Sequence, residues 1–254
     1  MARSRRSLAT GVALAAAALL TIAGCGGSTA SIVSPSRSAV ALTAGPNPSM
    51  IYVARTTAGV IAIDLGFVGS GRPFARALAD LGATPEDVKT VFLTHSHRDH
   101  IALWPEVRKA QFHLAAAEVP RLLGQSPHEG WIASTADKLN DPELPKPDEL
   151  TIRAFAADTT FVVGADTLRA YLVPGHTPGA AVYLFRGVLF LGDAVTWTPW
   201  RGFGPAKAGY SDDTKVAREN LARLWQRLPT GAVKHACTAH ARCGEFTAVL
   251  ADLR

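Results

Sequence analysis

The sequence predicts an α/β domain in which two β-sheets pack against each other and helices cover the outer faces. Three observations carry this. Short apolar strands precede an amphipathic helix twice over, once in each half of the chain; sheets covered by helices leave that alternation in a sequence. The 254 residues are 48% hydrophobic and 19% charged, enough for one large domain with a real core. Histidine and aspartate residues gather where strands end, as expected when a scaffold presents side chains at one edge.

The elements follow in order. Arg3, Arg5 and Arg6 precede an uncharged, alanine-rich stretch over 8–22 that closes on Ile22-Ala23-Gly24-Cys25. This reads as a signal peptide over 1–24. The small residues before Cys25 resemble a bacterial lipobox, which implies lipidation of Cys25, export and a membrane anchor; an ordinary signal peptide with an incidental cysteine is the plainer reading. Ser4-Arg5-Arg6-Ser7-Leu8 also resembles a twin-arginine export signal. Residues 25–48, rich in Ser, Ala, Gly and Pro, read as a flexible tether, and the folded domain is expected over 49–254. Strands are predicted over 50–54 and 60–64 around a turn at Thr57-Ala58-Gly59, then a helix over 72–81, a strand over 90–94, a strand over 111–114 and a short helix over 116–123 disturbed by Pro120. The proline-rich stretch 126–150 reads as a surface loop or lid, partly anchored by Trp131 and Ile132. Strands resume over 160–163, 167–173, 181–185 and 188–191. An amphipathic helix is predicted over 213–228 with Asp212 as N-cap, then a strand over 232–238 and a helix over 246–253.

The formal charge of +5 falls largely on the N-terminal arginines, and no basic run exists beyond them. Composition therefore gives no support for a nucleic-acid partner. Cys237 and Cys243 flank His240. After export they would meet an oxidising compartment, where a short-loop disulfide or an inert pair competes with a metal role for one of them.

The chemistry concentrates in His95-Ser96-His97-Arg98-Asp99-His100, directly after the strand ending at Thr94. Alternate residues of extended chain face the same way, so His95 and His97 can address one metal ion; a turn then lets Asp99 and His100 address a second. Imidazole with carboxylate suits zinc. His113, His128 and His235 carry no comparable pattern and read as structural or exposed.

The run resembles the HxHxDH signature of the metallo-β-lactamase superfamily. Gly175-His176-Thr177-Pro178-Gly179 resembles its second histidine motif, Leu191-Gly192-Asp193 its bridging-aspartate motif, His240 its last ligand, and Ile63-Asp64-Leu65-Gly66 its early aspartate turn. The resemblance runs from about residue 50 to the end. It implies a four-layer αββα sandwich of two mixed sheets with helices outside. It further implies two zinc ions, with iron or manganese as other ions such ligands take. His95, His97 and His176 would hold the first ion, Asp99, His100 and His240 the second, and Asp193 both. Asp64 would orient ligands by hydrogen bonds, against the plainer reading of a turn carboxylate. Asp99 would also serve catalysis by passing a proton to the leaving group. Departures from the pattern are Ala180 after the second motif and Ile101-Ala102 after the first.

The activity so implied is hydrolysis of a small-molecule substrate by metal-activated water, directed at a lactone or thioester. Zinc β-lactamases generally lack the bridging aspartate, so Asp193 points away from them. A mononuclear iron persulfide dioxygenase and a non-catalytic zinc-binding lipoprotein are also compatible with the first motif. Trp197, Trp200, Phe203 and Tyr210 follow Asp193 and read either as a substrate pocket or as loop packing.

Overall fold

The computed structural model describes residues 30–34, 38–43, 49–139, 143–241 and 243–253. The signal peptide expected over 1–24, Cys25 and parts of the expected tether lie outside the described residues. Chain order is β1 (Ala30–Ser34), β2 (Ser38–Thr43), β3 (Ile51–Thr56), β4 (Gly59–Ile63), α1 (Gly71–Asp80), β5 (Val88–Phe92), the single-turn α2 (Arg98–Ile101), β6 (Gln111–Ala115), the single-turn α3 (Val119–Leu122), α4 (Trp131–Leu139), β7 (Thr151–Phe155), β8 (Thr159–Val163), β9 (Asp166–Leu172), β10 (Ala181–Phe185), β11 (Val188–Phe190), β12 (Val195–Thr198), β13 (Gly202–Pro205), α5 (Thr214–Arg227), β14 (His235–Cys237), β15 (Cys243–Glu245) and α6 (Phe246–Asp252).

The first sheet runs β1-β2-β3-β4-β5-β6-β7 and the second β15-β14-β11-β10-β9-β8, with β12-β13 as a separate hairpin. Both large sheets are mixed: β4 to β7 pair in parallel, as do β11 and β14, and the other neighbours are antiparallel. The two-residue period of a strand explains the layering. In β3 and β4, Tyr52, Ala54, Ile61 and Ile63 face the second sheet and pack with Leu168, Tyr183, Phe185 and Phe190. Their alternates, Ile51, Val53, Val60 and Ala62, face outward and bury Phe74 and Leu78 of α1. The outer face of the second sheet, through Val182, Leu184 and Leu189, buries Leu221 and Leu224 of α5 and Val249 of α6. Three apolar layers between four structural layers give the expected αββα sandwich. Strands covered on both faces read as continuous apolar runs, as β10 does, buried at every position.

Several expectations are corrected. Residues 30–43, read as tether, contribute β1 and β2, and β2 pairs with β3 from Val40↔Ala54 to Thr43↔Ile51; the two-residue spacing of Val40 and Leu42 is a strand pattern hidden in a Ser- and Ala-rich composition. The stretch 126–150 is not all loop. Helix-forming Ala133, Ala136 and Lys138 build α4 between Pro127 and the later prolines. Ala133 is its buried residue, and Trp131, expected as an anchor, is 71% exposed. The edge strand β7 went unforeseen because most of its side chains face solvent. Asp213 rather than Asp212 caps α5, its Oδ1 accepting from the amides of Lys215 (2.8 Å) and Val216 (3.0 Å). Asp212 instead accepts from Arg121 at 2.7 Å.

The sheets are also stitched by hydrogen bonds where β5 ends. Ala181 N donates to Thr94 O (2.8 Å), and the buried Tyr183 hydroxyl donates to Leu93 O (2.7 Å). Replacing Tyr183 by Phe strands that carbonyl away from water. The expected loss is about 1–3 kcal/mol of unfolding free energy, measured by denaturant titration; an unchanged midpoint would show that the stitch contributes nothing.

Candidate metal centre

The strand directions bring the ligand-type residues together. β4 and β5 are parallel, so the loops carrying Asp64 and His95–His100 leave one edge of the first sheet. In the second sheet β9 and β11 both run antiparallel to β10, and β14 runs parallel to β11. The loops carrying His176, Asp193 and His240 therefore also leave a common edge. Met50 N donates to Ala239 O (2.6 Å), joining the two edges, and Ala239 N donates to Gly192 O (3.1 Å), joining two loops of the second. Gly192 adopts φ +52°, and a Cβ there would lie 2.7 Å from Thr94 Oγ1. Only glycine lets the Asp193 loop close over the end of β5.

Two groups of ligand atoms result: His95, His97, His176 and Asp193, and Asp99, His100 and His240. In the first, His95 Nε2, His97 Nδ1 and His176 Nε2 converge at separations of 3.0, 3.1 and 3.2 Å. In the second, His240 Nε2 lies 3.3 Å from Asp99 Oδ2, and His100 Nε2 lies 3.8 Å from the same oxygen. Asp193 stands between the groups: Oδ2 is 3.5 Å from His176 Nε2 and 3.1 Å from His240 Nε2, and Oδ1 is 3.7 Å from His100 Nε2. The structure thus assembles every residue expected to hold metal.

Hydrogen bonds behind the rings fix their tautomers. Thr94 Oγ1 donates to Asp64 Oδ2 (2.8 Å), so it accepts from His95 Nδ1 (3.0 Å) and leaves the Nε2 lone pair facing the cluster. Ser211 Oγ donates to Lys207 O (2.7 Å) and accepts from His176 Nδ1 (3.1 Å), with the same result. His100 Nδ1 donates to Asp64 Oδ2 at 2.9 Å. Asp64 takes a third bond from Thr94 N (2.7 Å) and holds a left-handed φ of +56°, unusual for a residue with a side chain. Its carboxylate thus bonds His100 directly and His95 through Thr94.

The electrostatics fit cations. Burial, followed by repulsion among the imidazoles, holds His95 and His97 well below the ordinary histidine range, and burial lowers His176. Neutral rings are what a metal requires. Burial opposes charge on His100, but Asp99, Asp64 and Asp193 outweigh it and lift that ring to about 10. Burial pushes Asp193 up, yet His240, His100 and His176 together hold its carboxyl well below the usual carboxylate range. His100 Nε2 and Asp193 Oδ1 are buried without a hydrogen-bond partner, and both belong to these groups. Tetrahedral zinc with nitrogen ligands at about 2.0–2.1 Å places those nitrogens about 3.3–3.4 Å apart, close to the spacing of the three converging imidazoles. The residues present fit zinc.

The supporting residues were mostly not legible. Glu118 is fully buried and accepts from Ser96 N (2.9 Å), Ser96 Oγ (2.5 Å) and Gly179 N (2.7 Å), tying the loop of His95 and His97 to that of His176. His128, read as structural or exposed, is buried with its ring 4.5 Å from that of His97 and bonds Asp137 of α4. No local pattern marks either, because their partners are distant in sequence. His113 stacks on Phe92, and His235 pairs with Glu245, both away from the centre. Cys237 and Cys243 form a disulfide, which removes them as ligands.

A cavity of about 370 Å³ opens onto the centre, lined by Phe67, Val68, Arg98, Ala133, Ala136, Asp137, Thr196, Lys207 and Tyr210 around Asp99, Asp193 and the histidines. Of the four aromatics expected near a pocket, only Tyr210 lines it. The others belong to the β12–β13 hairpin, whose alternation puts Thr196 towards the cavity and packs Trp197 and the buried Phe203 against α5 and α6. Trp200, at the hairpin turn, is 83% exposed.

Comparison with known proteins agrees with this geometry. Residues 44–229 match the metallo-beta-lactamase superfamily. A hydroxyacylglutathione hydrolase of Anaeromyxobacter dehalogenans is 31% identical over 173 residues, 68% of this chain and 56% of that protein. A probable metallo-hydrolase of Bacillus subtilis, YqgX, is 27% identical over 46% of this chain and 52% of its own length. The chain thus spans little more than half of the curated relatives it matches. Among solved structures, an archaeal metallo-beta-lactamase superfamily protein from Sulfolobus tokodaii superposes with a TM-score of 0.61 at 22% identity, over 82% of this chain and 80% of that one. A subclass B3 metallo-beta-lactamase of Bradyrhizobium japonicum does so at 0.58 and 24%, over 79% and 74%. The fold, the paired ligand groups and the match over 44–229 together establish that this chain belongs to the metallo-β-lactamase superfamily.

Proposed function

We propose that the chain is a dinuclear metal-dependent hydrolase of a small thioester or related ester, such as a lactone. The observation that carries this is the position of Asp193, one carboxylate within 3.1–3.7 Å of histidines from both ligand groups. His95, His97 and His176 would hold one zinc ion and Asp99, His100 and His240 the other, with Asp193 facing both. Such ions supply Lewis acidity at the scissile carbonyl and lower the pKa of water.

The chain's own residues do the rest. Asp64, Thr94 and Ser211 orient the imidazoles so that lone pairs face inward. Asp99 lines the cavity with its side chain 40% exposed, placed to pass a proton to a departing thiolate or alkoxide. Phe67, Val68, Ala133 and Ala136 offer apolar wall to an acyl group, and the exposed Lys207 offers a cation to an anionic substituent. The likeness to a hydroxyacylglutathione hydrolase supports a thioester; the likeness to a B3 β-lactamase is one of fold.

Elemental analysis of chelator-free protein is expected to give two zinc ions per chain, and Asp99→Ala to lose hydrolysis of short acyl thioesters and lactones. One iron per chain would favour a persulfide dioxygenase, and bound zinc without turnover of any ester a binding protein. Asp64→Asn puts an amide donor where Oδ2 now accepts, and is expected to weaken zinc binding by about 10–100-fold, read by competition with a chromophoric chelator; unchanged affinity would leave Asp64 a mere turn residue. Lys207→Ala is expected to raise KM for carboxylate-bearing thioesters with kcat little changed, while neutral thioesters are unaffected. Equal effects on both would remove Lys207 from substrate recognition.

A further inference from the structure

His240 is the least enclosed of the five clustered histidines, with its side chain 31% exposed while those of His100 and His176 are at most 2% exposed. β14 and β15 are three residues each and pair with one another as His235↔Glu245, Ala236↔Gly244 and Cys237↔Cys243, and β14 also pairs in parallel with β11. The disulfide joins the last of these pairs, and His240 lies midway round the turn it closes. The approach to His240 is pinned: Tyr52 Oη donates to Thr238 O (2.6 Å), Ala239 N to Gly192 O (3.1 Å) and Met50 N to Ala239 O (2.6 Å). The return to β15 is closed by the Cys237–Cys243 bond. Thr94 and Ser211 bond the outer nitrogens of His95 and His176, and Glu118 holds the backbone of Ser96, between His95 and His97.

We infer that the Cys237–Cys243 disulfide is a positioning device for His240: closing the turn holds its imidazole against Asp99 and Asp193 and so sets the affinity of the second zinc position, leaving the first largely untouched. Constraint of this kind acts by removing conformations in which the ring points elsewhere. The inference rests on the dinuclear reading above.

Two zinc dissociation constants, measured by chelator competition with zinc alone, test it in three preparations: oxidised wild type, a Cys237→Ala, Cys243→Ala double variant, and wild type reduced by a trialkylphosphine that is then removed. In that reduction the disulfide takes two electrons and two protons to give two thiols, and phosphine and water yield the phosphine oxide. The expected result is a second zinc weakened about tenfold or more in variant and reduced protein, with the first changed by less than about threefold. Near-UV circular dichroism verifies folding, and the reduced wild type gives the result where the variant does not fold. Equal second-site affinity in all three overturns the positioning role while the two-ion count leaves the hydrolase reading standing. Parallel weakening of both ions overturns it too, since that marks general loosening of the fold. An oxidised chain that takes up no second zinc overturns both.

Discussion

Asp64 accepts three hydrogen bonds, from Thr94 N, Thr94 Oγ1 and His100 Nδ1, and the order of the centre depends on them. Imidazoles placed about 3 Å apart away from water will bond to one another unless something behind each ring holds its proton. A buried carboxylate is the strongest acceptor available for that purpose. Through Thr94 its influence extends to His95, so one side chain at the end of β4 sets ring orientation in both ligand groups. The left-handed backbone at Asp64 is the strain accepted for that placement, and it persists because Leu65 N and Asp64 N are both tied into neighbouring elements.

Rigidity at this edge comes from the layers beneath it. Tyr183, Phe185 and Phe190 pack against Ile61, Ile63 and Phe92 between the sheets, and close-packed side chains resist small displacements. The loops that carry ligands are short extensions of those strands. Their contacts across the sheets, Ala181 to Thr94 and Met50 to Ala239, are backbone bonds that do not depend on the side chains presented. Glu118 adds a buried tie between the loop of His97 and that of Gly179, so the two halves of the chain meet through the site as well as through the core.

Much of this was legible in the sequence, for identifiable reasons. β4, β10 and β11 are largely buried and announce themselves as apolar runs, and the ligand-type residues follow the ends of β5, β9, β11 and β14 at spacings that few other sites require. Features that depend on distant partners were not legible. β7 is an exposed edge strand whose residues show no apolar alternation. β1 and β2 use small residues that composition assigns to a linker. α4 lies between prolines and packs on the segment over 208–210, a partner distant in sequence. Trp197 and Phe203 read equally as substrate pocket or as loop packing, and the hairpin that turns them away from the site makes them packing. Glu118 and His128 gain their meaning only from Ser96, Gly179 and Asp137, which lie elsewhere along the chain.

Much of the cavity wall comes from segments that carry none of the ligand-type residues. Phe67 and Val68 follow the Asp64 turn, Ala133 and Ala136 come from α4, and Thr196, Lys207 and Tyr210 come from the hairpin and the turn after it; none of these is a ligand. Insertions, deletions or replacements in these segments can therefore reshape what the cavity admits while the strand ends that hold the cations keep their geometry. The shape of the cavity and the grouping of the ligand-type side chains are thus mechanically separable.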